Sequence, residues 1–177
     1  INNQVKLTGN VNINDGELTV SDSTINSGGL IGKLETKYGT TKIDNINSNM
    51  ILNHNMNVTN SSALKIITNR TGGLIGYNLI TGYGSTTISN IETNSDLITN
   101  PTISSNTART TYTGGLIGEN ANSSTGSFTL KDSYSNRKIE GISFVGGLIG
   151  FVNNSSTGSN HITNSYSDGK IIGTENY

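Results

Sequence analysis

One five-residue word, Gly-Gly-Leu-Ile-Gly (GGLIG), occurs four times in this chain of 177 residues, beginning at Gly28, Gly72, Gly114 and Gly146. Recurrence at a period of a few tens of residues is typical of repeat architectures, in which each repeat packs against its neighbours. Further positions recur downstream of each copy: a glycine, then an aliphatic residue, then Asn or Asp two residues later. The chain is therefore interpreted as one repeat array over 1–177.

The array begins within a repeat. The segment "GELTVSDS" from Gly16 matches "GSFTLKDS" from Gly126, so 1–27 is interpreted as a partial repeat. The chain ends on "GKIIGTENY", where another GGLIG would be due. We therefore expect the array to continue in flanking sequence, and we expect neighbouring repeats of the same chain to be its first partners.

The spacing of apolar residues indicates strands rather than helices. Leu18 and Val20 alternate with polar residues, as do Phe128 and Leu130, and this period of two is the strand pattern. Gly, Asn, Ser and Thr fill the intervening positions and disfavour helix. Each repeat offers three short strands: one on GGLIG, one on the following aliphatic-x-Asn position and one on segments such as "RKIEG".

These features predict an all-β fold, a parallel β-solenoid (β-helix) of about five coils with three short strands per coil. Equivalent residues of successive coils should then lie above one another and form interior columns. The three predicted columns are Leu30, Leu74, Leu116 and Leu148; Val20, Ile43, Ile88, Leu130 and Ile162; and Leu52, Leu97, Ile139 and Ile171.

Composition narrows the classes of partner. The net charge is −1 and the basic residues are scattered, so the sequence predicts no nucleic-acid partner. No run approaches 18 apolar residues, which predicts no membrane insertion. The chain has no cysteine, so it offers neither disulfides nor thiolate ligands. Only 13% of residues are charged, but the regular register of the aliphatic residues favours an ordered array over disorder.

The GGLIG word together with "GSNHITNSYSDGKIIG" resembles the GLUG repeat, closely in the last two repeats and loosely in the first two. That family occurs in large bacterial surface and secreted proteins, among them haemagglutinin-like adhesins and the non-catalytic regions of zinc metallopeptidases that cut immunoglobulin A. The resemblance implies an extracellular or cell-surface location in bacteria. It implies a non-catalytic stalk and binding platform, or alternatively a structural spacer of a secreted metallopeptidase.

The unequal repeat lengths arise at one point. Between the last aliphatic position and the next GGLIG lie Asn53–Thr71, Ile98–Thr113 and, in the third repeat, only six residues. Loops on a rigid scaffold commonly carry recognition, so these insertions are the predicted ligand site for a host glycan or protein. The candidate residues are His54, Arg70, Arg109 and Tyr112. The alternative is that both insertions cover the core or pair as an extra sheet.

Catalysis and metal binding are not predicted. A glycosidase needs two carboxylates placed across one bond, and the carboxylates here show no recurring close pair. Carboxylates from different coils could still meet, so a β-helical carbohydrate-active enzyme is the alternative function. The column Asp22, Asn45, Asn90, Asp132 and Asn164 is too poor in carboxylates for calcium and favours stacked amides or Asx turns. No cofactor and no metal are expected.

Overall fold

The structure is a computed structural model that describes residues 5–15, 23–58, 65–94, 96–103, 107–154 and 157–174. This described part contains strands, turns and bends but no helix, and its strand pairs are all parallel. No helix long and apolar enough to cross a membrane therefore occurs among these residues. The predicted all-β class with parallel sheets is confirmed.

The strands form three sheets. The largest has ten strands: β1 (Val5–Asp15), β4 (Thr40–Val58), β7 (Ser85–Thr93), β8 (Leu97–Ile103), β11 (Ser127–Lys131), β12 (Tyr134–Ser135), β13 (Ile139–Gly141), β16 (Ser159–Thr163), β17 (Tyr166–Ser167) and β18 (Ile171–Gly173). The second sheet contains β3 (Ile31–Thr36), β6 (Ile75–Ile80), β10 (Ile117–Asn122) and β15 (Ile149–Asn154). The third contains β2 (Ser23–Gly28), β5 (Lys65–Gly72), β9 (Thr107–Gly114) and β14 (Phe144–Gly146).

Successive repeats stack in register. The backbone N–H of Leu30 donates to the carbonyl of Leu74 over 3.0 Å, and Leu74 and Leu116 donate in the same way to Leu116 and Leu148 over 2.9 Å. The neighbouring isoleucines pair likewise, with Ile75 beside Ile31 on one side and Ile117 on the other. Each copy of the motif therefore lies directly on the next copy, as the sequence predicts.

The predicted interior columns are confirmed where their residues are described. Leu74, Leu116, Ile88, Leu130, Leu97 and Ile139 are all 0% exposed. At the two ends of the stack the same positions open to solvent, because no further repeat among the described residues covers them: Leu30 is 41% exposed and Ile171 is 47% exposed. The alternation is also visible within a strand, since β11 buries Phe128 and Leu130 and leaves Ser127, Thr129 and Lys131 at least partly exposed.

The number of strands per repeat exceeds the predicted three. In the repeat that starts at Gly114, β12 and β14 are additional: β12 covers the "YS" dipeptide and β14 covers the three residues that lead into the next GGLIG. Both are only two or three residues long, so neither shows a full period of apolar alternation. Their ladder bonds come from neighbouring repeats, which a local pattern cannot reveal.

At the start of the array, Val11 of β1 pairs with Leu52, and Ser23 of β2 pairs with Ile67 in β5. Ser23 therefore belongs to the strand that leads into the first GGLIG. Residues 16–22, which include Val20 and Asp22, lie outside the described residues, so the match of Gly16–Ser23 with Gly126–Ser133 stays a prediction.

Candidate functional site

The three glycines of GGLIG build a tight corner between the second and third sheets. A methyl group on the first glycine of any copy would overlap the carbonyl oxygen of the isoleucine three residues later. On Gly73 it would overlap the carbonyl of Gly115 in the next repeat, and on Gly118 it would come within 2.7 Å of the Thr71 nitrogen. All these neighbouring atoms belong to the backbone, so a side chain is sterically excluded at each of the three glycine positions. This exclusion explains why the GGLIG motif recurs unchanged.

Where the structure describes them, the two insertions are strands rather than loops. The first begins inside β4 and returns as β5, and the second forms β8 and β9. Leu52–Val58 pair with Leu97–Ile103, and Lys65–Gly72 pair with Thr107–Gly114. The insertions therefore lie side by side, as expected from their common exit point. They extend two of the sheets, which is the alternative that the sequence left open, and the expectation of recognition loops is corrected accordingly.

The four candidate residues do not form one group. His54 lies in β4 beside Thr99, and Arg109 lies in β9 beside Ile67, in a different sheet. Nothing is described of these two side chains. Arg70 and Tyr112 are direct register partners in β5 and β9, two residues before successive GGLIG motifs. The structure thus brings together half of the predicted set.

Arg70 and Tyr112 belong to a larger group on the outer side of the glycine corner, which we call the corner cluster. Its members occupy the position two residues before GGLIG or the position directly after it, on adjacent strands of the second and third sheets. They are Arg70, Tyr77, Tyr112, Glu119, Phe144 and Phe151. The tight corner is what makes these two positions neighbours across the bend.

Aromatic rings form one end of the corner cluster. The rings of Tyr112 and Phe151 are stacked, with centroids 4.8 Å apart and planes 15° from parallel. Phe144 packs against both rings at 5.2 Å in tilted arrangements. Such pairs are stabilising beyond the area they bury. Phe144 is 43% exposed, so this end presents an aromatic surface to solvent.

A buried ion pair forms the other end. The Arg70 guanidinium bonds to the Glu119 carboxylate through Nε, and both side chains are largely shielded from water. It also lies over the ring of Tyr77, with Cζ 4.1 Å from the centroid, and over Tyr112 at 5.9 Å. A planar guanidinium can stack on an aromatic ring and bond to a carboxylate at the same time, whereas the ammonium group of a lysine has no planar face to stack.

The two tyrosines of the cluster are held in their neutral form. Burial raises the pKa of Tyr77, and the nearby Glu119 carboxylate raises it further. The same two causes raise the pKa of Tyr112. Both phenols therefore stay protonated well above neutral pH and are available as hydrogen-bond donors at the edge of the aromatic surface.

Sequence reasoning missed four of the six cluster residues. Arg70 and Tyr112 were selected because they lie in insertions, whereas Tyr77, Glu119 and Phe151 directly follow the motif and Phe144 lies in the shortest connection. The sequence nevertheless contains a signal that identifies all six residues. Pairing the residue two before each GGLIG with the residue just after it gives Arg70 with Tyr77, Tyr112 with Glu119, and Phe144 with Phe151.

The Asn/Asp column has a backbone role. Asn45, Asn90, Asp132 and Asn164 have positive φ, between 48° and 61°, and these left-handed positions favour Asn and Asp among residues with a side chain. The Asn164 amide donates to the Asp132 carboxylate at 3.1 Å. Side-chain stacking along the ladder is thus present, together with a sharp bend. No group of three or more His, Cys, Asp or Glu placed to hold a metal occurs among the described residues.

Other tyrosines lie in separate places. Tyr134 and Tyr166 stack with centroids 5.4 Å apart and planes 6° from parallel. Tyr38 and Tyr83 are 70% and 79% exposed at turns.

Compared with protein-family models, with curated proteins and with solved structures, the chain matches none of them. The GLUG resemblance therefore stays a prediction.

Proposed function

We propose that this chain is a segment of a parallel β-solenoid of about five coils, in which each repeat forms one coil. Support comes from the in-register ladders that join every GGLIG to the next and from the columns of like aliphatic residues. The open positions at both ends of the stack fit a segment that continues into further coils. Sequencing of the regions flanking this segment tests that continuation, and unrelated globular domains on both sides would contradict it.

The proposed role is that of a non-enzymatic stalk and binding platform of a bacterial surface or secreted protein. A stack of identical coils is stiff and gives side chains fixed spacings along its axis. The observation that carries the binding role is the corner cluster, where the chemistry least typical of the repeat gathers in one place. Rings of Tyr112, Phe144 and Phe151 form a partly exposed patch beside the buried Arg70–Glu119 pair.

The expected ligand is a host glycan or protein. Aromatic side chains and arginine are enriched where proteins recognise partners, since they provide a large contact area at low entropic cost. The Arg70 charge is already engaged by Glu119, so the patch is better suited to a neutral sugar face or an apolar side chain than to an anion. Spacer and carbohydrate-active enzyme are the competing roles.

The test is a pair of binding screens, on a mammalian-type glycan array and on immobilised fibronectin. The test variant carries Tyr112→Ala with Phe144→Ala, and the control carries Tyr83→Ala, which removes an exposed ring at a turn away from the cluster. We expect the wild type and the control to bind equally and the double variant to lose at least about tenfold, since hot-spot rings contribute about 2 kcal/mol or more.

Three outcomes contradict parts of this proposal. Unchanged binding by a folded double variant removes the corner cluster as the site. Failure of the wild type to bind on either screen removes the platform role and leaves the spacer. Turnover by the wild type on a panel of polysaccharides establishes the enzyme instead.

A further inference from the structure

One cation lies inside the stack and is separate from the corner cluster. Arg137 is 1% exposed, although it follows the polar segment "SYSN" on the largest sheet. The register places Met50 and Gly169 at the equivalent position of two other repeats, two residues before Leu52 and Ile171. A charge is therefore not a requirement of the repeat at this position.

The guanidinium is only partly satisfied. Its Nη1 donates to the backbone carbonyl of Met50 at 3.5 Å, two repeats away along the stack. Its Nε and Nη2 have no hydrogen-bond partner among the described residues. These two N–H groups lie on the same edge of the planar group and point in parallel, which is the fork that binds anions in a bidentate manner.

Among the described residues, the surroundings supply a further polar group but no acidic side chain bonded to the guanidinium. The Ser135 hydroxyl is fully buried and also lacks a partner. A methyl group on Gly73 would come within 2.9 Å of the Arg137 Cζ, and one on Gly115, in the next repeat, would overlap the Ser135 hydroxyl. The guanidinium and this hydroxyl therefore both lie against the second glycine of successive GGLIG motifs. The nearest acidic influence is Asp96, an exposed residue.

Burial alone does not remove the charge. It lowers the pKa of Arg137 to about 10, so the side chain remains protonated at neutral pH. A buried charge without a partner is strongly unfavourable, and proteins normally pair it or bind an ion beside it. A water molecule would accept the two N–H bonds but would leave the charge uncompensated.

We propose that the Nε–Nη2 edge of Arg137 binds a small inorganic anion of chloride size inside the stack. A monatomic anion can accept both parallel N–H groups at once. The closed surroundings disfavour larger oxyanions such as sulfate. The ion is taken up as the coils close, so it stabilises the folded chain and not the unfolded chain.

The experiment measures the thermal unfolding midpoint of the whole chain in sodium chloride against sodium gluconate at equal ionic strength. A ligand that binds only the folded state stabilises it with the logarithm of its concentration, so each tenfold rise in chloride above the dissociation constant should raise the midpoint by about 3–6 °C. Sodium sulfate provides the oxyanion arm and should give no specific rise.

Two variants and one control separate this site from general salt effects. Arg137→Met should lose the chloride response, and Arg137→Lys should lose most of it, because an ammonium keeps the charge but not the fork. The control is Lys138→Met, which removes the same charge from a partly exposed neighbour and should respond like the wild type. A wild type with equal midpoints in both salts, or a full response in either Arg137 variant, overturns the proposal.

A direct measurement covers the case in which the variants do not fold. Crystals of the wild type grown with bromide should show an anomalous peak within hydrogen-bonding distance of both Nε and Nη2 of Arg137. A water molecule or a side chain in that place instead overturns the proposal.

Discussion

Leu116→Ala tests the stacked core with an internal standard. Leu116 is 0% exposed and lies between Leu74 below and Leu148 above, and its own backbone bonds to Leu148 at 2.9 Å. Leu30 occupies the same position of the repeat at the open end and is 41% exposed. The two substitutions remove the same atoms from the same motif, so they differ only in the number of neighbours that cover the side chain.

The expected costs are clearly different. Truncating a fully enclosed leucine removes its transfer free energy and leaves a cavity, together about 3–5 kcal/mol. Leu30→Ala loses only the buried fraction of about three methylene-sized groups and leaves no closed cavity, which amounts to about 1–1.5 kcal/mol. For a chain of this size each kcal/mol shifts the midpoint by about 2–4 °C, so Leu116→Ala should lower it by about 6–20 °C.

The assay is calorimetry or circular dichroism on both variants, with urea unfolding to confirm a single transition. Equal losses for Leu30→Ala and Leu116→Ala would refute the stacking, because they would mean that both side chains have the same surroundings.

Three further predictions concern the backbone and one surface carboxylate. Gly114→Ala should destabilise by more than about 2 kcal/mol or prevent folding, because the new methyl overlaps the carbonyl of Ile117, and urea unfolding measures the loss. Asn90→Ala should cost about 1–2 kcal/mol at its φ of 54°, and Asn90→Gly should cost less; equal costs in thermal unfolding would contradict the conformational explanation. The hydrogen bond from Ser89, above all, lowers the pKa of Asp44 from 3.8 to about 2. Because the folded-state pKa is depressed, its stabilising effect should be present above pH 3.8 and lost as the pH falls towards 2. NMR titration should place the Asp44 midpoint near 2 and, in Ser89→Ala, closer to 3.8.

The sequence predicts the repeated parts of this fold well. Columns such as Leu74 over Leu116 follow from identical words at fixed positions, and the glycines mark the corner correctly. The insertions were harder to predict. Whether a polar segment of 16 or 19 residues forms a loop or a strand depends on whether an equally long neighbour is available for pairing, and β8 finds it in β4.

Only two of the six residues of the candidate site were predicted, and the reasons are physical. Arg70 and Tyr112 stood out as unusual residues, and their contact follows from the register. The partners Glu119 and Phe151 lie across a bend whose tightness depends on backbone clearances of a few ångströms, which the letters do not show. Arg137 was not identified at all, since a basic residue in a polar segment is normally exposed.

Cysteine cross-linking tests the central claim, the stacking of each repeat on the next, most directly, because the chain contains no cysteine of its own. Thr87 and Thr129 are register partners on β7 and β11, 42 residues apart in sequence, whereas Lys131 partners Ser89. Neighbouring parallel strands place partner Cα atoms at a separation that a disulfide can span, about 5 Å, and a shift of two residues exceeds the limit of about 7 Å. Thr87→Cys with Thr129→Cys should oxidise rapidly and completely to an intramolecular disulfide, and Thr87→Cys with Lys131→Cys should not. Equal oxidation of both pairs, or of the second alone, would contradict the stacking.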